Sequence, residues 1–485
     1  MKSFFIQEPE LEFGGGGRHI DVRFGLMANG PLDRGSPTAP SSVRIGVVGD
    51  AEGVAGLRAW IDKCRVGIEA KPSTLPTLFT AFPGFGDGQS LPDFRTTDSS
   101  CREISQRTLA EWETLEPRDL LIERSVARYV EEADDLISKG GVDVVICTLG
   151  PTLLRRIDVT GPAQRGPRSR RRGQQARTPH PMIWHDLFKA RALRLARPVQ
   201  VSRPGTFGGS VQRFGRDGKP RLLVQDDATR AWNFFAALYY KAGGTLWRLA
   251  REASDLLSCY VGVGFYHDAQ DDALQTSIAQ VFNERGEGVV VRGGPAQFNK
   301  DDLSPHLSLA DARTLLTRAI GKFRQEHRTS PARVVIHKSS WFDDAEQAGF
   351  NEAAQTERID GLDLLSIRKS NTRFFREAGH YPPLRGTAIE LSEKEVLCYT
   401  HSSVDFYRSY PGLYVPRPLL IRLECAAADV RSLVRETLAL TKMNWNSTHF
   451  SNALPITLSA ADGVGDIVRH VRGVDDVQPR YSYYM

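Results

Sequence analysis

The chain has 485 residues, 41% of them hydrophobic, and a formal net charge of +5. That length accommodates two to four domains of roughly 100–200 residues each, with more than one buried core. No apolar run approaches the roughly 18 residues of a membrane span, and the six cysteines form no C-x-x-C pair, which excludes a zinc ribbon or a thioredoxin-like redox motif.

Acids in MKSFFIQEPELEF stand where a signal peptide needs an apolar core. Together with scattered single thiols, this places the expected protein in the cytoplasm, away from any membrane. Mild basicity fits a nucleic-acid partner without requiring one. The positive charge is concentrated in 165–173, RGPRSRRRG, five arginines in nine positions.

Taken in chain order, residues 1–42 form a Gly- and Pro-rich lead segment expected to pack on the core. Its run Gly14 to Gly17 lacks the Lys-Ser/Thr of a phosphate loop and reads as a turn or bulge between strands. VRIGVVGD is an apolar strand, and AEGVAGLRAWIDKC has helical spacing. RSVARYVEEADDLISKG is a second helix, followed by the buried strand VDVVICTLG. This alternation predicts a doubly wound α/β domain. Residues 160–180, rich in Pro, Gly and Arg, read as an exposed mobile loop. IWHDLFKARALRLA is a helix, PVQVS a short strand, and TRAWNFFAALYYKAGG a helix with a glycine stop.

A second α/β unit opens at LSCYVGVGFYH and continues through the strand–turn–strand SIAQVFNERGEGVVVRGG. SLADARTLLTRAIGKFRQEH is a helix leading into the strand ARVVIHKSS. IELSEKEVLCYTHSS and PRPLLIRLEC are strand candidates, and VRSLVRETLALTKMNW and AADGVGDIVRHVRG are helices. A hairpin-rich sheet flanked by helices fits an RNase H-like fold.

Three stretches together resemble the Argonaute family: HDLFKARALRLARPVQ; WNFFAALYYKAGGTLW; and SPARVVIHKSSWFDDAEQAGF with LTKMNWNSTHFSNALPITLSAADGVGDIV. They follow the order of a MID and then a PIWI domain. The resemblance covers about residues 43–485, and the length suggests a short prokaryotic Argonaute without N and PAZ domains. It implies an α/β chain with a Rossmann-like MID domain at 43–245 and an RNase H-like PIWI domain at 246–485.

A guide's terminal phosphate needs clustered donors, preferably charged, because charge-assisted hydrogen bonds are roughly twice as strong as neutral ones. His185 and Lys189 are spaced i, i+4 and share a helix face. Gln200 lies just past that helix. Asn233 and Lys241 are eight apart, about two turns, and can also face one way. The resemblance gives His185 a stacking role under the first base and makes Lys189, Gln200 and Lys241 phosphate ligands, with Asn233 beside them. It implies that the carboxylate of Met485 joins this pocket, with Mg2+ bound at the phosphate. A further lysine of some relatives falls on Ala237.

Cleavage of the RNase H type needs two metal ions about 3.5–4 Å apart, clamped by several carboxylates. The family positions for two of these fall on Gly264, in YVGVGFY, and Ser339, in VVIHKSS. Asp268 lies roughly 13 Å from position 264 along a continuing strand, and Asp343 and Asp344 are similarly displaced from Ser339. Asp462 alone falls near the last ligand position. The resemblance therefore implies guide RNA pairing with single-stranded DNA, no slicing, and a heterodimeric partner carrying an APAZ region. That partner would bring a TIR, SIR2 or nuclease effector for defence against plasmids or phage. Two alternatives stand beside this: an endonuclease with unusual ligands, and a metabolic α/β enzyme with an ATPase-type half, for which no phosphate-loop motif is present.

Overall fold

The computed structural model describes residues 2–86, 89–157, 182–207, 212–214, 220–222, 225–250, 256–268, 273–282, 288–291, 293–375, 377–410, 412, 414–449, 452–471 and 478–485. Lys2–Phe5 is β1, and Ser42–Gly49 is β2. Helix α1, Ala51–Val66, starts at Asp50, whose side chain accepts a hydrogen bond from Gly53 N and caps the first turn. Strands β3 (Asp93–Arg95) and β4 (Cys101–Glu103) flank β2, and α2 spans Arg118–Ser138. After β5, Val144–Thr148, come α3, Trp184–Ala192, and β6, Val199–Ser202. All pairings in this sheet are parallel, with β2 beside β5 and β5 beside β6. It is the doubly wound α/β layer expected from the alternating elements.

Helix α4, Asp227–Lys241, buries Trp232, Phe235 and Tyr239 and stops at Gly243, whose φ of 96° is left-handed. The second unit holds β7 (Ser258–His267), β8 (Leu274–Phe282), β9 (Gly288–Val291), α5 (Leu309–His327), β10 (Arg333–Lys338), α6 (Asp344–Thr356) and β11 (Gly361–Lys369). It continues with β12 (Thr387–Glu390), β13 (Glu395–Cys398), β14 (Leu419–Cys425), α7 (Val430–Leu440) and α8 (Ile456–Val468). Among the described residues these strands and β1 make a nine-stranded mixed sheet, ordered β1-β12-β13-β14-β11-β10-β7-β8-β9. Strands β7, β10 and β11 run parallel, so their carboxyl ends share one end of the sheet. Apolar residues of β7 and β10 pack on α5 and α6 on one face. On the other face α8 comes so close that a Cβ on Gly262 would overlap the Thr457 carbonyl.

Three details differ from the expectations or refine them. IELSEKEVLCYTHSS is a hairpin, β12 and β13, because its polar centre turns back at Leu391, whose N donates to Glu395 O at 2.8 Å. The lead segment joins the second unit: β1 pairs antiparallel with β12, and Leu11–Glu12 pairs with both Arg18–His19 and Arg248–Leu249. Gly14–Gly16 is the turn between those short strands. A continuous core runs from Phe4 through Val43, Trp232, Leu365 and Ile421 to Met485, so both units share one interior.

Candidate nucleic-acid interface

On α3, Trp184 stacks on Phe188 with ring centroids 4.8 Å apart, and its Nε1 donates to Ser125 Oγ of α2 at 2.9 Å. Leu187 and Ala192 are buried with them. This anchoring leaves Lys189 only 1% exposed. Its Nζ donates to Val199 O at 2.7 Å and to the main-chain oxygen of Met485. Burial pushes the Lys189 ammonium down to about 7.

Lys241 reaches the same place from the last turn of α4. It is 3% exposed, and its Nζ has no hydrogen-bond partner among the described residues. Burial holds its pKa well below the ordinary lysine value, and the charge of Lys189 lowers it further. Two ammonium groups from separate helices thus act on each other in a buried site. The 3-10 turn Tyr481–Tyr483 lies against α4, and Met485 is buried beside it. Gln200, on β6, is half-buried; its Nε2 donates to Val201 O at 3.0 Å, while its Oε1 is buried without a hydrogen-bond partner among the described residues. His185 stands at the open side, 42% exposed, with Nδ1 2.9 Å from Asp186 Oδ1.

Asn233 is not brought to this pair. It lies two turns back, about 12 Å along the helix axis. Its Nδ2 donates to Gln225 Oε1 at 2.9 Å, and its Oδ1 accepts from Thr448 N at 2.8 Å. Its role is to tie α4 to the segment before α8. The Arg-rich stretch 165–173 and the loop 160–180 lie outside the described residues.

The second locus is the shared end of β7 and β10. Val263 pairs with Lys338, so the next step sets Gly264 beside Ser339. His337 Nδ1 contacts Thr457 Oγ1 of α8 at 2.9 Å, and alternation along the strands puts Gly264 and Ser339 on this same α8 face. Asp462 is exposed on α8. The opposite face holds a buried ion pair that the sequence reading did not single out. Lys338 Nζ lies 2.6 Å from both oxygens of Glu346, and His306 Nδ1 lies 2.9 Å from Glu346 Oε2. A lysine directly after four apolar or neutral strand residues, Val334 to His337, was the available signal. His306, Asp343 and Glu346 set ligand atoms within 4.8 Å of one another, a grouping able to hold a cation. The Lys338 ammonium already supplies positive charge to it.

No family model and no curated protein matches the chain. Solved structures do. Clostridium butyricum Argonaute, bound to a guide DNA with a 5′ deoxycytidine and a 19-mer target DNA, aligns with a TM-score of 0.61 and 14% identity, over 97% of this chain and 53% of that one. Aa-Ago with externally bound siRNA aligns with a TM-score of 0.57 and 16% identity, over 100% of this chain and 56% of that one. A. aeolicus Argonaute gives a TM-score of 0.56 and 17% identity, over 97% and 53%. The chain spans about half the length of these proteins. With a parallel α/β unit followed by a mixed sheet flanked by helices, the chain has the fold of the half of these Argonaute structures that it covers.

Proposed function

We propose that the chain is a guide-binding subunit that holds the 5′-phosphorylated end of a guide strand, presents it for pairing and leaves the paired target uncut. The observation that carries this reading is the buried pair Lys189 and Lys241, one ammonium of which has no hydrogen-bond partner among the described residues. An unpaired buried charge costs stability unless an anion arrives to meet it. A terminal phosphate supplies up to two charges and several acceptor oxygens. Lys189, Lys241 and Gln200 would bind it, and His185 at the rim would stack under the first base. One solved neighbour, Clostridium butyricum Argonaute, holds a guide and a target DNA; here the guide is proposed to be RNA and the target single-stranded DNA.

The side chains around the lysine pair do not by themselves make a Mg2+ site, since among the described residues no side-chain carboxylate is among the charges acting on either ammonium. A divalent ion there would rest on oxygens of the phosphate and of Met485, and the lysines already neutralise the phosphate. At the strand ends, Gly264 and Ser339 leave the α8 face without two of the carboxylates that two-metal cleavage needs. Glu346 and Asp343 do not replace them, because Lys338 and Glu346 pack on the opposite face.

A strand-pairing protein without cleavage acts through a partner. The reading is a heterodimer with an APAZ-region protein whose TIR, SIR2 or nuclease effector is switched on by target pairing, in cytoplasmic defence against plasmids or phage. Among the described residues no helix is long and apolar enough to cross a membrane. The test is a titration of wild type and the double variant Lys189→Ala, Lys241→Ala with 5′-phosphorylated and 5′-hydroxyl strands. Wild type should prefer the phosphate and the variant should not; equal behaviour of the two proteins would sink the assignment. Target cleavage with Mg2+ or Mn2+, abolished by Asp462→Ala, would instead establish the endonuclease.

A further inference from the structure

The nine-stranded sheet has two outer strands, β9 and β1. The C-terminal segment covers β9: Val290 N donates to Pro479 O at 2.8 Å, and Val289 pairs with Arg480. No segment among the described residues does the same for β1. Ile6 N, just past β1, donates to Gly386 O at 2.9 Å. Main-chain groups alternate in direction along an antiparallel ladder, so Lys2 and Phe4 turn theirs to β12, and Ser3 and Phe5 turn theirs outward. Among the described residues no hydrogen bond reaches the outward N–H and C=O of Ser3 or Phe5. Edge strands are commonly closed by proline, a bulge, a charge or a covering segment; of these β1 has only the charge of Lys2.

The two faces beside this edge differ. On one, Phe4 is buried in the core, and the Arg431 guanidinium of α7 lies over its ring, 4.8 Å from the centroid. Lys2 shares that face. Both cations are exposed, and neither forms an ion pair among the described residues. Glu390, opposite Lys2, is the acid in register with them. On the other face Ser3, Phe5 and Gln7 are exposed in a row, Phe5 by 51%. Beyond Phe5 this face opens into a cavity of about 250 Å³ whose lining includes Gln7, Ile20, Leu384, Val404 and Phe406.

We propose that β1 receives an extended segment of a partner protein as a further strand of the sheet, with an acidic residue beside Lys2 and Arg431 and an apolar side chain in the cavity beyond Phe5. The edge presents donors and acceptors in alternation, which another main chain matches. A nucleic-acid strand offers phosphates that only accept, so the outward carbonyls would stay unpaired. A second copy of this chain would pair edge to edge about a two-fold axis and set both Arg431 side chains on one face, like charge against like. A partner strand with a carboxylate at that place meets both cations instead. The inference deepens the reading of a chain that acts through a partner, and rests on it.

The probe is a fluorescein-labelled peptide of alternating valine and threonine with a central glutamate, titrated into the full chain and read by anisotropy. Two control peptides carry lysine in place of the glutamate, or a methyl group on every amide nitrogen. Wild type should bind the glutamate peptide about tenfold or more tightly than either control. The double variant Lys2→Glu, Arg431→Glu should prefer the lysine peptide. Phe5→Pro should lose the peptide yet unfold at the wild-type temperature, because proline on this edge removes only an outward N–H. The charge variant keeps the test decisive if proline disturbs β1. In hydrogen exchange, the amides of Ser3 and Phe5 should gain protection only with the glutamate peptide. Absence of binding by wild type, or binding that both variants leave unchanged, overturns the proposal. So does a dimer in sedimentation that Phe5→Pro dissolves, or protection of the same two amides by a single DNA strand. Lys189 and Lys241 are unaltered throughout, so failure at this edge is distinct from failure of the 5′-phosphate preference.

Discussion

Lys241 combines near-complete burial with an ammonium that has no hydrogen-bond partner among the described residues, and that combination makes a stability cost measurable. Lys241→Met keeps the volume and removes the polar group, so it should stabilise the strand-free protein by about 1–3 kcal/mol in urea unfolding. It should also abolish the preference for a 5′ phosphate; a destabilised variant would contradict the site. The pH dependence follows from the same pair. Both lysines titrate below their ordinary value when folded, Lys189 at about 7. Above that pH and up to the unfolded value the unfolded chain binds more protons, so stability of the strand-free protein rises with pH through this window. Phosphate binding draws protons onto the ammoniums. Affinity for a phosphorylated strand should therefore fall as pH rises from about 7 to 9, while affinity for a hydroxyl strand stays level; a flat profile for both contradicts the account. Spacing put His185 with Lys189, and Asn233 with Lys241, on shared helix faces, and the resemblance added Gln200. The same spacing sets Asn233 about 12 Å along the axis from Lys241, but it does not report the contacts of Asn233 with Gln225 and Thr448. Nor does spacing report burial, so the lack of a partner for Lys241 among the described residues was invisible, and the strand pattern that hints at Lys338 does not name its partner Glu346.

Among elements, β7 and α8 are joined where YVGVGFY brings Gly262 under Thr457. A methyl group there meets backbone, which cannot swing aside as a side chain would. Gly262→Ala should cost about 1–3 kcal/mol of stability and loosen α8 over the Gly264 and Ser339 strand ends; unchanged thermal unfolding would contradict that packing. Most strands and helices could be read from period and caps, since each is a run of one pattern between turn residues. Strand β11 was not, because Asp363 interrupts its apolar run. That carboxylate is buried, accepting from Ala427 N at 2.7 Å and from Arg333 Nε at 2.5 Å. The β12–β13 hairpin read as one strand for the converse reason: its turn residues, Ser392 to Lys394, are polar but contain neither Gly nor Pro.

For the whole molecule, the lead segment is a structural brace. Glu8 Oε2 accepts from Arg385 Nε at 2.9 Å, and Glu8 Oε1 is 3.2 Å from Lys442 Nζ. Burial alone would raise the Glu8 pKa, but Arg385 and Lys442 overcome it and hold it below the ordinary carboxylate range. Its contribution is thus present above the unfolded carboxylate pKa and lost as pH falls through the folded one. Glu8→Ala strands two buried cations and should cost about 3–5 kcal/mol in denaturant unfolding; a change below measurement error would show that the brace is idle. The pairing of Lys2–Phe5 with Thr387–Glu390 has no local signal in sequence, because it joins segments far apart in the chain. The central claim is that this fold grips strands by a 5′ phosphate. Its most direct test is the 5′-end chemistry of nucleic acid that co-purifies with wild type and with Lys189→Ala, Lys241→Ala, probed by kinase labelling before and after phosphatase. The account predicts short strands on wild type that label only after phosphatase, and their absence from the variant. Strands that label equally well without phosphatase, or the same strands on the variant, would contradict it.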